Sequence, residues 1–387
     1  MTVYLDHAAT TPLRPEARDA WLAAAETVGN ASSIHGAGQT ARRLLEDARD
    51  RLAAALDCQP IEVVFTSGGT ESINLALKGL WWARPAGRDA IALPDGEHHA
   101  TLDAVAWLSE HEDARVVPVP LDGAARILPE RFAAALDDRT ALATALVASN
   151  EAGTVNDAAA LAERAAERGV PLHLDAVAAF GHVPVTFRGW RGDARGAAGL
   201  VALSVSGHKV GAPVGTGALV VSREASLTAL QHGGGQQRAL RAGTQDVAGA
   251  TALAVAAELA GREREAEAAR LGALRDELIA RVRRDIPEAV LLGDPVDRLP
   301  GSVHLHLPGA PGESLLYLLD REGIAVSTGS ACQAGVPEPS HVVLAMGRDE
   351  RAAREVLRIT LGRTTTSADV DAIAAALPEA YRRAARR

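Results

Sequence analysis

Lysine is nearly absent from this chain. Of 40 lysine and arginine side chains only Lys78 and Lys209 are lysines. The bias toward arginine and alanine carries no functional weight in itself, yet it makes each lysine worth a question. Arginine cannot be deprotonated in a protein and cannot form a Schiff base, whereas lysine does both. Cysteine is equally scarce: Cys58 and Cys332 are too few for a disulfide framework and fit a reducing, cytoplasmic setting. Positive charge is in deficit. A net charge of −9 and a pI near 5.8 argue against nucleic acid or an anionic membrane as a direct partner. No apolar run approaches the length of a membrane span. The opening residues, Met1 to Asp6, carry neither the basic nor the apolar stretch of a signal peptide.

What is present is a globular composition, 47% hydrophobic and 23% charged, in a chain of 387 residues that is long enough for two domains. Over the first 250 residues strand and helix patterns alternate, which predicts an α/β fold with a mainly parallel sheet. Strands are expected at 62–66, 90–93, 116–119, 143–147, 172–174, 200–205 and 218–221. Helices are expected at 37–56, 72–80, 100–110 and 158–168, and a long one at 247–284 leads into a smaller α+β C-terminal domain. There, strands near 302–307 and 357–361 alternate with helices at 313–322 and 367–384.

Three strand ends draw attention. After the first strand comes Ser67-Gly68-Gly69-Thr70-Glu71-Ser72, where glycines between strand and helix let backbone N–H groups and a helix N-terminus meet an anion. The GxxxxGK[ST] and GxGxxG spacings are both missing. Asp175 ends a second strand, and Ser206-Gly207-His208-Lys209 follows a third. A glycine-rich turn, a turn aspartate and a surface lysine would each be unremarkable. Together they supply a phosphate cup, an acid and an amine at one edge of an open sheet, which is what pyridoxal phosphate requires.

At these positions the chain resembles the cysteine desulfurases of fold type I, in the class V aminotransferase group, and their housekeeping branch with a long active-site loop. The motifs run nearly end to end. They include Tyr4-Leu-Asp-His-Ala-Ala-Thr-Thr-Pro12, Gly29-Asn-Ala-Ser-Ser33, Glu97-His98, Ser149-Asn-Glu-Ala-Gly153, Ser206-Gly-His-Lys209, Arg241-Ala-Gly-Thr244, Ser327-Thr-Gly-Ser-Ala-Cys332 and Leu357-Arg-Ile-Thr-Leu-Gly362. The resemblance implies a large cofactor domain over 13–260, with a seven-stranded sheet. Residues 1–12 and 261–387 would form the small domain, which carries a cysteine loop at about 327–340. Lys209 would bind the cofactor covalently and shuttle the Cα proton, and Asp175 would pair with the pyridinium nitrogen. Gly69, Thr70, Ser206 and His208 would hold the phosphate, and Thr244 would reach the phosphate of a neighbouring subunit in a homodimer. His98 would stack on the ring and take part in proton transfer. Asn150 would lie near the phenolic oxygen, and Arg358 would clamp the substrate carboxylate with Asn30 as helper.

One departure stands out: the family usually has a glutamine three residues after the acid, where this chain has Ala178. Cys332 sits among small residues and prolines, a composition that reads as a mobile exposed loop and suits a nucleophilic thiol. Cys58, after an amphipathic helix, reads as a small packing residue. The implied reaction removes sulfur from L-cysteine, leaving L-alanine and a persulfide on Cys332. The implied acceptors are an iron–sulfur scaffold or tRNA-thiolating proteins. No permanent metal site is expected, although Cys332 could transiently ligate an iron–sulfur cluster. A selenocysteine lyase, a racemase or another lyase of the same fold needs no such thiol, and a weakly active sulfur-carrier scaffold is the alternative from another class. His304 and His306, two apart on a strand, are expected to form a solvated face.

Overall fold

The computed structural model describes residues 2–329 and 338–385. The chain enters through a short strand, β1 (Val3–Tyr4), and then builds the central sheet from β2 (Val63–Thr66), β3 (Ala90–Pro94), β4 (Arg115–Val119), β5 (Thr140–Leu146), β6 (Pro171–Asp175), β7 (Gly199–Ser206) and β8 (Gly217–Val221). Its spatial order is β2-β8-β7-β6-β5-β3-β4. Pairing is parallel from β7 through β4, and only β8 runs antiparallel to its neighbours. Strands β5, β6 and β7 are buried along their whole length, as strands covered by helices on both faces must be. The edges differ in chemistry. β4 is half exposed and carries Pro118, a residue tolerated on an edge because it lacks a ladder donor. β2 is covered by the Gln237 side chain, whose amide accepts from Phe65 N at 2.8 Å and donates to Phe65 O at 2.7 Å.

The sequence expectation for the sheet holds, strand by strand. All seven expected strands are present, and the helices Gly36–Leu56, Gly69–Trp82, His99–Glu112 and Ala158–Glu167 fall where the apolar periodicity places them. The long helix Val247–Asp285 starts at Asp246, whose carboxylate accepts from Gly249 N at 2.8 Å. Its first half buries alanines against the large core, whereas Leu271, Leu278, Ile279 and Val282 belong to a second apolar cluster with Leu5, Leu305 and Ile359. Beyond it, β9 (Val290–Leu292), β10 (Ser302–His306) and β12 (Val356–Thr360) form an antiparallel sheet with β10 in the middle. Strand β11 (Ile324–Ala325) pairs in parallel with β1, which ties the N-terminal segment to this C-terminal unit.

One expectation is corrected here. His304 is fully buried and His306 half-buried against Glu355, so they form no solvated face. The reason is layering. Val303 and Leu305 point into the second apolar cluster, and the opposite face of β10 packs on the first unit, where Ser302 lies against Gly153. Among the described residues no helix is long and apolar enough to cross a membrane, and no group of three or more metal-ligating side chains occurs.

Candidate active site

Strand ends and the C-terminal unit enclose a cavity of about 410 Å³ lined by Thr70, His98, Asn150, Asp175, Ser206, His208, Lys209 and Arg358, among others. It lies outside the carboxyl ends of β3, β5, β6 and β7, where open α/β sheets bind ligands. Lys209 ends a single 3-10 turn directly after β7, so a fully buried strand fixes its backbone. That turn needs Gly207: a Cβ there would come within 2.2 Å of Thr216 Oγ1. Gly68, at φ +149°, opens the helix Gly69–Trp82 without any side-chain cap, leaving first-turn N–H groups open beside Thr70. Asp175 closes β6, with its Oδ1 accepting from Val177 N at 2.9 Å.

The electrostatics of this wall come from burial. Lys209 falls from 10.5 to about 8, through desolvation first and the Arg358 charge second, while Asp6 and Asp175 pull it up. Its ammonium donates to the carbonyls of Ala8 and Ala9, the latter at 3.0 Å. Asp175 rises from 3.8 to about 6 because it is desolvated, against the pull of Val177 N–H and Lys209. His98 and His208 both drop to about 4, by burial and then by the Lys209 charge. Both imidazoles are therefore neutral at physiological pH. His98 Nδ1 accepts from Ala100 N at 3.1 Å, which caps the helix His99–Glu112 and leaves Nε2 as the free nitrogen. Beside Asp175, Glu97 is fully buried; desolvation and then the Asp175 charge hold its carboxyl well above the usual carboxylate range.

The opposite wall is built from pairs. Arg358, in β12, donates from Nη1 to Asn150 O at 3.0 Å and from Nη2 to Asp6 Oδ1 at 2.9 Å. Glu151 lies under this wall, accepting from Ser340 Oγ at 2.5 Å. Gly69, Ala178 and Ser327 also line the cavity.

Of the residues expected from sequence, Gly69, Thr70, His98, Asn150, Asp175, Ser206, His208, Lys209 and Arg358 share this cavity. Asn30 and Thr244 do not: both are exposed, and Asn30 Oδ1 is occupied locally by Ser32 N. Cys332 lies outside the described residues. Cys58 packs beside the large core, and desolvation pushes its thiol to about 12. Not foreseen were Asp6, Glu151, His341 and His99. The last lines the cavity with its ring 4.8 Å from His341. Asp6 and Glu151 stood inside quoted motifs, which was the available signal.

The residues fit pyridoxal phosphate. An open helix N-terminus with Thr70, Ser206 and His208 suits a phosphate, a buried carboxyl suits a ring nitrogen, and a depressed lysine amine suits an aldehyde. A larger cavity of about 560 Å³ opens beside the helix Gly36–Leu56, lined by Arg42, Arg49 and Arg238, and holds none of these groups.

Residues 3–373 match the family described as aminotransferase class-V. The chain is 48% identical to an IscS-like cysteine desulfurase of Mycobacterium tuberculosis, over 99% of this chain and 97% of that protein. It is 40% identical to the cysteine desulfurase IscS of Methanosarcina thermophila, over 97% and 91%. Among solved structures it is similar to a NifS-like protein, with a TM-score of 0.89 at 30% identity, covering 98% of this chain and 99% of the other.

Proposed function

This chain belongs to the aminotransferase class-V family, and from that premise we propose that it is a pyridoxal-phosphate-dependent cysteine desulfurase, converting L-cysteine to L-alanine with transfer of the sulfur to Cys332. The observation that carries the reading is the convergence of the Lys209 amine and the Asp175 carboxyl on one cavity, with a guanidinium facing them. When bound, the cofactor supplies an aldehyde for amine exchange and a ring that accepts electron density from Cα. Thr70, Ser206 and His208 hold its phosphate, and Asp175 keeps a proton on the ring nitrogen. Arg358 orients the substrate carboxylate. Lys209, with a pKa near 8, removes the Cα proton of the substrate as general base. His98 is neutral, and because its Nδ1 accepts from Ala100 N it carries its proton on Nε2, from which it donates toward the substrate sulfur. The Cys332 thiolate then attacks the substrate sulfur. An S–S bond forms as the Cβ–S bond breaks, and the electron pair stays with the carbon frame, which takes up a proton and leaves as alanine.

A homodimer in which Thr244 serves the neighbouring site, a cytoplasmic setting and sulfur-accepting partner proteins complete the proposal. So does a division into 13–260 and a unit of 1–12 with 261–387. The test is direct. Protein, pyridoxal phosphate and L-cysteine are mixed, and alanine and protein-bound persulfide are assayed. Cys332→Ser should keep the cofactor's visible band and form no persulfide. Full desulfuration by that variant would refute the role of the thiol.

A further inference from the structure

Among the described residues, Arg358 is the one lysine or arginine of the cavity that already has a carboxylate on it. Its side chain is 6% exposed, and its two terminal nitrogens are engaged, Nη1 by the Asn150 carbonyl and Nη2 by Asp6 Oδ1. Nε is buried and has no partner. An incoming carboxylate grips an arginine best through two parallel N–H groups on one edge. Here that edge pairs the unpartnered Nε with Nη2, the nitrogen on which Asp6 makes its single hydrogen bond.

A tether for the N-terminal segment is the plain explanation of the Asp6 contact, and the segment does not need one. Leu5 N donates to Ala325 O at 2.9 Å, Thr360 N to Leu5 O at 2.8 Å, and Ala8 N to Thr360 Oγ1 at 2.9 Å. Two backbone bonds and one to the Thr360 hydroxyl thus fix residues 5–8 on both sides of Asp6. What the Asp6 carboxylate adds is charge. It compensates a guanidinium that would otherwise stand buried and unpaired, and it helps keep the proton on Lys209.

We propose that Asp6 is a positioning and specificity residue: it is the internal occupant of Arg358, which an amino-acid carboxylate must displace from Nη2 in order to bind. This rests on the reading of Arg358 as the carboxylate clamp. A ligand that offers two oxygens exchanges one hydrogen bond for two and succeeds. A thiol without a carboxylate gains nothing at this wall, so Asp6 sets a threshold that favours α-amino acids over simple amines and thiols.

The test compares Asp6→Asn with the wild-type holoenzyme. Asparagine keeps the shape and the acceptor but removes the charge. KM for L-cysteine should fall about three- to fivefold, the size of a single partly exposed ion pair, with kcat moving less than about twofold. Inhibition by propionate, a bare carboxylate probe, should tighten in parallel. Turnover of cysteamine, which lacks the carboxylate, should keep its KM. A rise in KM, or no change with no gain for propionate, overturns the proposal and leaves Asp6 a structural partner. Arg358→Gln separates the two layers. If that variant leaves both KM and propionate inhibition unchanged, the clamp reading itself fails. If it weakens both while Asp6→Asn tightens neither, only the present inference fails. Asp6→Ser, which removes the charge and the contact together, should shift propionate inhibition in the same direction as Asp6→Asn, and a loosening would count against the proposal.

Discussion

On the sheet side of the cavity Asp175 is buried and Lys209 half-buried, with no ion pair within 4 Å among the described residues. On the C-terminal side Arg358 and Asp6 face each other at 2.9 Å. The first arrangement leaves both groups titrating near neutrality, at about 8 and about 6. The second holds two full charges against each other. Proton transfer needs groups that change state easily, and recognition of a carboxylate needs one that does not. One cavity therefore uses desolvation where chemistry happens and pairing where binding happens.

The harshest way to break this contrast is to make the sheet side as permanently charged as the other. Lys209→Arg keeps a cation at the end of β7 but cannot lose its proton. The rate of alanine formation should drop by about 10³-fold or more, with loss of the covalently bound cofactor's visible band. Residual activity above a tenth of wild type would remove Lys209 from its role.

Asp175→Asn sharpens the contrast through stability. Folding raises the Asp175 pKa from 3.8 to about 6, so between those values the folded state binds more protons than the unfolded one. Stability then falls as pH rises through that window, and above about pH 6 an ionised Asp175 costs on the order of 2–3 kcal/mol. Cofactor-free Asp175→Asn should accordingly melt higher than cofactor-free wild type at pH 7 and level with it at pH 4. The same change should lower turnover of the holoenzyme by about 10²-fold, since the ring nitrogen loses its acid partner. A variant that melts lower at pH 7 would show that Asp175 is paired rather than strained by burial.

Much of the sheet side was legible in the sequence, and less of the other. Strand ends announce themselves: an apolar run followed by Ser206-Gly-His-Lys209 or by Asp175 locates the residue and the edge it occupies. The C-terminal wall depends on how two units meet, and periodicity carries no information about that. Hence His304 read as solvent-facing although its strand face is pressed against the first unit, and Asp6 read as part of a motif with no task. Glu151 escaped for the same reason. It lies against Gly329 and Ser340, residues distant from it in sequence. Arg358 was the exception, because a charged residue between Leu357 and Ile359 demands a buried partner or water, and Asp6 and the Asn150 carbonyl supply the partner.

The smallest expected effect concerns Ala178, which lines two adjoining cavities. Behind it a cavity of about 50 Å³ is lined by His7, Asn150, His182 and Lys209, and it shares Ala178 with the main cavity. Ala178→Gln fills this space and adds an amide donor at the cofactor's edge. A single new hydrogen bond of about 1 kcal/mol changes kcat by less than about tenfold and shifts the pH at which the bound cofactor's visible band titrates by about one unit at most. Ala178→Leu fills the same space without a donor and isolates the bond from the packing. If Ala178→Gln moves the band and Ala178→Leu does not, a hydrogen bond was missing at this edge. If both move it alike, the small cavity was acting through room for Lys209. In that case the depressed amine owes part of its reach to the short side chain at position 178.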